Sequence, residues 1–214
     1  MLNVPPNQDP KWTSEIIPQP TQGAGGTASI SYSAHIAASP VTCMEVMLDA
    51  STFPTWNKWI PKVNMMAPAE NPAASTPASL AHLTATRPEQ MLLRGAAFEF
   101  EVHMDPDSPK VHRSQFVVSV LEEFEHEGRK GLRVAWKQPG SPWLLRSERT
   151  QEFLEGVEGG TDYVSAETFK GPLAWLVTTM VGSQLCTGFA LWRDGLKKMA
   201  EEREREREKS KIAT

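Results

Sequence analysis

Between residues 91 and 169 the chain alternates apolar and polar side chains in runs separated by short polar turns. No other feature narrows the fold as much. Phe98, Phe100, Val102 and Met104 alternate with Glu99, Glu101 and His103, and Leu132, Val134 and Trp136 with Arg133, Ala135 and Lys137. A period of two marks strands that bury one face. The turns are Asp105-Pro106-Asp107-Ser108-Pro109, Glu127-Gly128-Arg129-Lys130-Gly131, Gln138-Pro139-Gly140-Ser141-Pro142, and a stretch holding Gly156, Gly159 and Gly160. Connectors this short join antiparallel neighbours. Strands are therefore expected over 91–104, 111–124, 132–137, 143–154 and 163–169.

Upstream, Ile30, Tyr32, Ala34 and Ile36 also keep strand period, and Ser39-Pro40 reads as a helix N-cap and first turn. Phe53-Pro54 is expected to break that helix, with a second helical turn at Trp56-Asn57-Lys58-Trp59 ended by Pro61, then a short strand over 63–66. Downstream, Gly171-Pro172 is expected to open one long helix with Leu173, Leu176, Val177, Met180, Gln184, Leu191, Leu196 and Met199 on one face. A second stripe, Val181, Leu185, Phe189 and Trp192, offers a homodimer seam. The fold class is α+β: a curved antiparallel sheet of about seven strands wrapped on a long C-terminal helix, with two short helices after the first strand.

Three segments complete the organisation. Residues 1–26 hold five prolines before Gly23, Gly25 and Gly26, and are read as an irregular lead-in from which Trp12, Ile16 and Ile17 dock on the domain. Residues 27–200 form the domain, with 67–79 as a mobile loop rich in alanine, proline and serine. Residues 201–214 are a charged helical extension. Its alternating Glu and Arg place opposite charges at i,i+3 but mostly like charges at i,i+4, so a solvated, fraying end is expected.

Composition removes several function classes. With 22 basic against 26 acidic residues the net charge is −4, which gives no basic field for nucleic acid. An apolar share of 40% is too high for wholesale disorder. Cys43 and Cys186 match no zinc or disulfide spacing and read as buried thiols, in keeping with a cytoplasmic protein. The first residues show neither the basic nor the apolar region of a secretory signal. The uncharged run from Leu173 to Trp192 has the length of a bilayer span, but Gln184 and several Thr, Ser and Gly dilute it, so no transmembrane segment is expected.

The element order, the Ser39-Pro40 start, the block Phe53-Pro54-Thr55-Trp56-Asn57-Lys58-Trp59-Ile60-Pro61, and the passage from Gly171-Pro172 to Leu196-Lys197-Lys198-Met199-Ala200-Glu201 resemble the START/Bet v 1-like (SRPBCC) superfamily. The likeness covers roughly residues 28–202 and is nearest to the polyketide cyclase/dehydrase and coenzyme-Q-binding type. It implies a helix-grip fold with an apolar cavity between sheet and terminal helix. Members of the superfamily include ligand carriers, hormone receptors, and cyclases or dehydratases. No universal catalytic motif exists to be carried over, and fold alone does not choose among these functions.

The residues themselves name candidates. The scattered histidines have no HxH or HExxH spacing, and there is no P-loop or GxSxG elbow, so no metal or other cofactor is assigned. What remains are polar groups that share the apolar strand phase: Tyr32, Arg94, His112, Ser114, Arg149, Gln151, Tyr163, Ser165 and Glu167, with Gln184 one helical turn from Met180. Arg149 and Glu167 lie on neighbouring strands and could neutralise one another, or Arg94 or Arg149 could hold a ligand carboxylate or enolate. Glu167, Tyr163 or His112 could move a proton at an activated carbon. Trp59, Phe98, Phe100, Trp136 and Met180 would supply apolar walls. A closed cavity lined by Arg149, Gln151, Tyr163 and Gln184 is expected. The corresponding function is binding of a small polyketide-, isoprenoid- or lipid-like molecule, either by a cofactor-free cyclase/dehydratase-like lyase or isomerase or by a non-catalytic lipid or quinone carrier.

Overall fold

The computed structural model describes residues 2–85, 87–104, 110–139 and 143–212. The turn assigned to 105–109 and the Gly140-Ser141-Pro142 part of the next one lie outside them. In chain order the elements are β1 (Lys11–Thr13), β2 (Ala28–Ile36), α1 (Pro40–Leu48), α2 (Phe53–Trp56), β3 (Lys62–Ala67), α3 (Pro72–Ser75), β4 (Ala97–Val102), β5 (His112–His126), β6 (Arg129–Lys137), β7 (Arg146–Glu155), β8 (Thr161–Lys170), α4 (Ala174–Met180) and α5 (Gly182–Ile212). The strands form one antiparallel sheet in the order β1-β2-β8-β7-β6-β5-β4-β3, and α1 and α5 pack on its concave face. This is the helix-grip fold.

Local chemistry accounts for the joints. The Ser39 hydroxyl accepts from the Thr42 N–H at 3.2 Å with Pro40 in the first turn, an N-cap that contributes about 1 kcal/mol. Glu127 and Gly128 both take positive φ between β5 and β6, as a two-residue hairpin of matching twist requires. A bulge between Val118 and Val120 inverts the phase of β5, so that Leu121 and not Val120 is buried against Val134. The core is aromatic. Trp192 meets Phe53, Trp56, Phe100 and Trp136 at centroid distances of 5.5, 5.4, 6.0 and 5.9 Å.

The structure corrects several expectations. The sheet has eight strands, because Lys11–Thr13 of the lead-in pairs with β2. The rest of the lead-in crosses the outer face of the sheet, whose serines, threonines and glutamates are buried beneath it. Gln19 links Thr150 and Thr168, Thr21 and Gln22 cap Glu148, and Lys170 donates to the Gln22 and Ala24 carbonyls. Phe53-Pro54 opens α2 instead of breaking a helix, and residues 57–60 turn without helix because the Asn57 side chain caps the Trp59 and Ile60 N–H groups. Residues 67–79 contain the single turn of α3.

The terminal helix is two helices, bent by 80° between Met180 and Gly182. Here the Trp12 ring comes within 3.0 Å of where a Cβ on residue 182 would sit, and its N–H donates to the Gly182 carbonyl at 3.0 Å. The bend rotates the apolar faces. Leu173, Leu176 and Met180 are exposed, while Phe189, Trp192, Leu196 and Ala200 are buried, so Phe189 and Trp192 of the stripe read as a dimer seam belong to the core. The charged extension continues α5 to Ile212 and packs on α1. Glu201 and Glu204 accept from the Ala37 and Ser39 N–H groups, and Arg207 pairs with the buried carboxylate of Glu45.

Candidate functional site

Sheet and helix separate at the end where β4 gives way to β5 and β6 to β7, under the α4–α5 bend. A cavity of about 250 Å³ lies there. Its sheet wall is Phe100, Phe116, Trp136 and Phe169, its helical wall Val177, Val181 and Leu185, and Trp59 and Ile60 close one side. Arg149, Glu167, His112, Ser114 and Gln138 are the polar groups in this lining. A cleft of about 660 Å³ on the opposite face runs under the lead-in, but its Thr150, Glu152 and Gln19 are already hydrogen-bonded to one another's segments and to Arg133 and Leu2. The smaller cavity combines apolar walls with convergent ionisable groups, the combination that marks a ligand site.

Arg149 is the centre of this arrangement. It stands opposite Glu167 in the β7–β8 register, and its guanidinium lies 4.5 Å and 4.3 Å from the ring centroids of Phe189 and Trp192. Only 3% of the residue is exposed. It donates through Nε to the Ser165 hydroxyl at 3.2 Å and through a terminal nitrogen to the Tyr32 hydroxyl. It makes no ion pair with a described carboxylate, Glu167 included. Taking such a cation out of water costs several kcal/mol. Hydrogen bonds to a charged group return roughly 1.5–3 kcal/mol each and ring faces about 0.5–2. These contacts hold the side chain in place without neutralising its charge.

Deeper in the sheet the polar groups satisfy each other. The Tyr163 hydroxyl donates to Gln151 Oε1 at 2.6 Å and lies 3.0 Å from the Tyr32 hydroxyl. Its ring stacks on Phe153 at 4.8 Å. Burial pushes the Tyr163 phenol well above its ordinary range, so it stays neutral. Burial also raises the Glu167 carboxyl, an effect that the nearby Arg149 cation opposes in part. Glu167, the one carboxyl among the described residues of this lining, therefore holds its proton more readily than a carboxyl in water.

Of the residues singled out in the sequence, Arg149, Glu167, His112, Ser114, Trp59, Phe100 and Trp136 line the cavity. Tyr32, Gln151, Tyr163, Ser165 and Phe98 are buried beside it and do not line it. Three residues fall elsewhere. Arg94 is exposed in the turn before β4, because that strand begins only at Ala97 after Gly95 with its φ of +91°. Met180 and Gln184 flank the bend and face out, Met180 at 70% exposure. The closed cavity expected around Gln151, Tyr163 and Gln184 is thus filled by side chains at its deep end and displaced toward the bend. Val102 and Met104 share the phase of Phe98 and Phe100, which is the signal that marks them as lining. Val181 and Leu185, expected on a dimer seam, line the cavity instead. Among the described residues no group of three or more His, Cys, Asp or Glu could hold a metal ion. No single described helix is long and apolar enough to cross a membrane.

Sheet, gripping helix and internal pocket define the architecture that the START/Bet v 1-like resemblance implied. No family model matches the chain, and no curated protein does. Among solved structures it is similar to a hypothetical protein from Helicobacter pylori, with a TM-score of 0.54 and 16% identity over 80% of this chain and 86% of that one. A START superfamily protein from Mycobacterium smegmatis aligns with a TM-score of 0.47 and 12% identity, over 83% of this chain and 97% of the other. The di-domain ARO/CYC BexL from the BE-7585A biosynthetic pathway aligns at 0.49 and 14%, over 82% of this chain and 49% of its own, so the chain spans about half of that di-domain. At these identities the likeness is one of fold.

Proposed function

We propose that the protein binds one small hydrophobic molecule in the cavity beneath the α4–α5 bend. The observation that carries this reading is the cavity itself: about 250 Å³ between aromatic and aliphatic walls, with an arginine and a glutamate inside. Volume limits the ligand. A dry cavity of about 150 Å³ accepts benzene, so this one suits one or two rings or a short polyketide- or isoprenoid-like chain. A long lipid or quinone tail would need α4 to move outward. The free thiols Cys43 and Cys186 suit a reducing compartment, the cytoplasm.

A second reading is a cofactor-free cyclase/dehydratase-like lyase or isomerase, supported by Glu167. It lines the cavity, and burial raises its pKa toward the range useful for proton transfer. His112 stands exposed at the cavity edge as a second candidate. Tyr163 is a weaker candidate, since its hydroxyl is committed to Gln151 and Tyr32.

Native mass spectrometry of protein purified from its own host tests the binding reading. A co-purifying small molecule at one per chain is the expected result, and substitution of Val181 by Trp to fill the cavity should abolish it. Retention of the ligand by the filled variant would place binding elsewhere. With the ligand identified, turnover that survives Glu167→Gln and His112→Gln would show that these residues are not the catalysts, and absence of turnover by the unaltered protein would leave the carrier reading.

A further inference from the structure

Resting on the cavity reading above, we propose that Arg149 anchors the carboxylate of a one- or two-ring aromatic acid, so that the natural ligand is an anion and not a neutral hydrophobe. Three observations carry this. The guanidinium is a buried cation whose hydrogen-bond partners are hydroxyls. Nε and one terminal nitrogen are engaged, and among the described residues the other terminal nitrogen has no acceptor. A planar fork with free N–H groups is matched to a carboxylate.

The second observation is the shape of the approach. Arg149 lies under the faces of Phe189 and Trp192, and the cavity beside it is walled by Trp59, Phe100 and Trp136. Flat rings fit between such walls with little loss of conformational entropy. The third is a second unanswered donor. Trp59 lines the cavity, is 5% exposed, and its buried indole N–H has no acceptor among the described residues. It is one of six buried side-chain polar atoms without a partner among the described residues, and an acceptor on a ligand in this cavity would satisfy it.

Glu167 shapes the response. It lies across the register from Arg149 in the same lining, so a bound carboxylate would face it. Ionised, it repels the ligand; protonated, it can donate to the second carboxylate oxygen. The neutral amide of Glu167→Gln would remove the repulsion and keep a donor.

The experiment is isothermal titration at neutral pH of the full chain with 2-naphthoate and with its uncharged analogue 2-naphthalenemethanol. The acid is expected to bind about tenfold more tightly or better, the effect of one charge-assisted hydrogen bond. Arg149→Met should erase that preference, and Glu167→Gln should tighten the acid, a gain that no damaged fold would produce. Equal binding of acid and alcohol by the unaltered protein overturns the anion inference and leaves the hydrophobic-ligand reading standing. Binding of neither compound overturns both. If Arg149→Met does not fold, the acid-to-alcohol ratio and the Glu167→Gln gain still decide the matter.

Discussion

The residues that give this protein its candidate chemistry work against its stability, and Glu167 is where that can be measured. Burial raises its pKa in the folded state, so over a range of pH the folded chain holds a proton that the unfolded chain has released. Stability therefore falls as pH rises through that window. Glutamine at this position has no proton to lose. Glu167→Gln should match the unaltered protein in urea denaturation at about pH 4, where the folded carboxyl is protonated, and exceed it at about pH 7. Equal stability at both values would mean that Glu167 does not feel its surroundings. Arg149, Glu167 and His112 are legible in the alternation of their strands, because a strand with one buried face displays every second residue to the core. Arg94 is not: its phase extrapolates from Phe98 and Phe100, and the strand does not reach back that far.

Elements behave less locally. Nothing in a helical wheel distinguishes one long helix from two at a bend, and the bend here exposes Leu173, Leu176 and Met180 while burying Phe189 and Trp192 of the other stripe. Gly182 is the available signal, since the Trp12 ring packs within 3.0 Å of where its Cβ would be. Gly188 and Gly195 are used the same way, against the Trp59 indole and the Trp56 carbonyl. The charged end of α5 also departs from its sequence pattern. Alternating Glu and Arg read as a solvated end, yet the buried Glu45 of α1 draws Arg207, with His82 at 2.7 Å on its other oxygen. Arg207→Ala should lower stability by about 1–2 kcal/mol, less than for a fully buried pair because the arginine is 39% exposed. Adding Glu45→Gln should restore most of the loss. A double-mutant cycle by chemical denaturation measures the coupling, and purely additive losses would show that the tail does not depend on this carboxylate.

For the whole molecule, the lead-in poses the sharpest question. It covers a sheet face made of Ser29, Ser31, Ser33, Thr150 and Thr168, groups that water can satisfy as well as Gln19 does. We expect a chain of residues 27–214 to keep the far-ultraviolet dichroism of the sheet and helices. It should melt at lower temperature, having lost β1 and the packing of Trp12 on Phe169 at 5.5 Å. It should also scatter light on standing, because β2 becomes an open edge. Failure to fold at all would make the lead-in part of the domain and not a cover.

The antiparallel sheet, the gripping helix and the inward phase of most polar candidates are written in the order of the residues. Each of these depends on periodicity along one segment, which short-range sterics and burial impose directly. Three-dimensional packing had to settle where the cavity lies, that Arg149 reaches hydroxyls and rings instead of Glu167, and that the lead-in adds a strand. Those outcomes depend on contacts between segments far apart in the chain: Trp12 with Gly182, Tyr32 with Arg149, Gln19 with Thr150 and Thr168. No one segment carries a pattern for such pairs, since each partner's position is set by the packing of all the others.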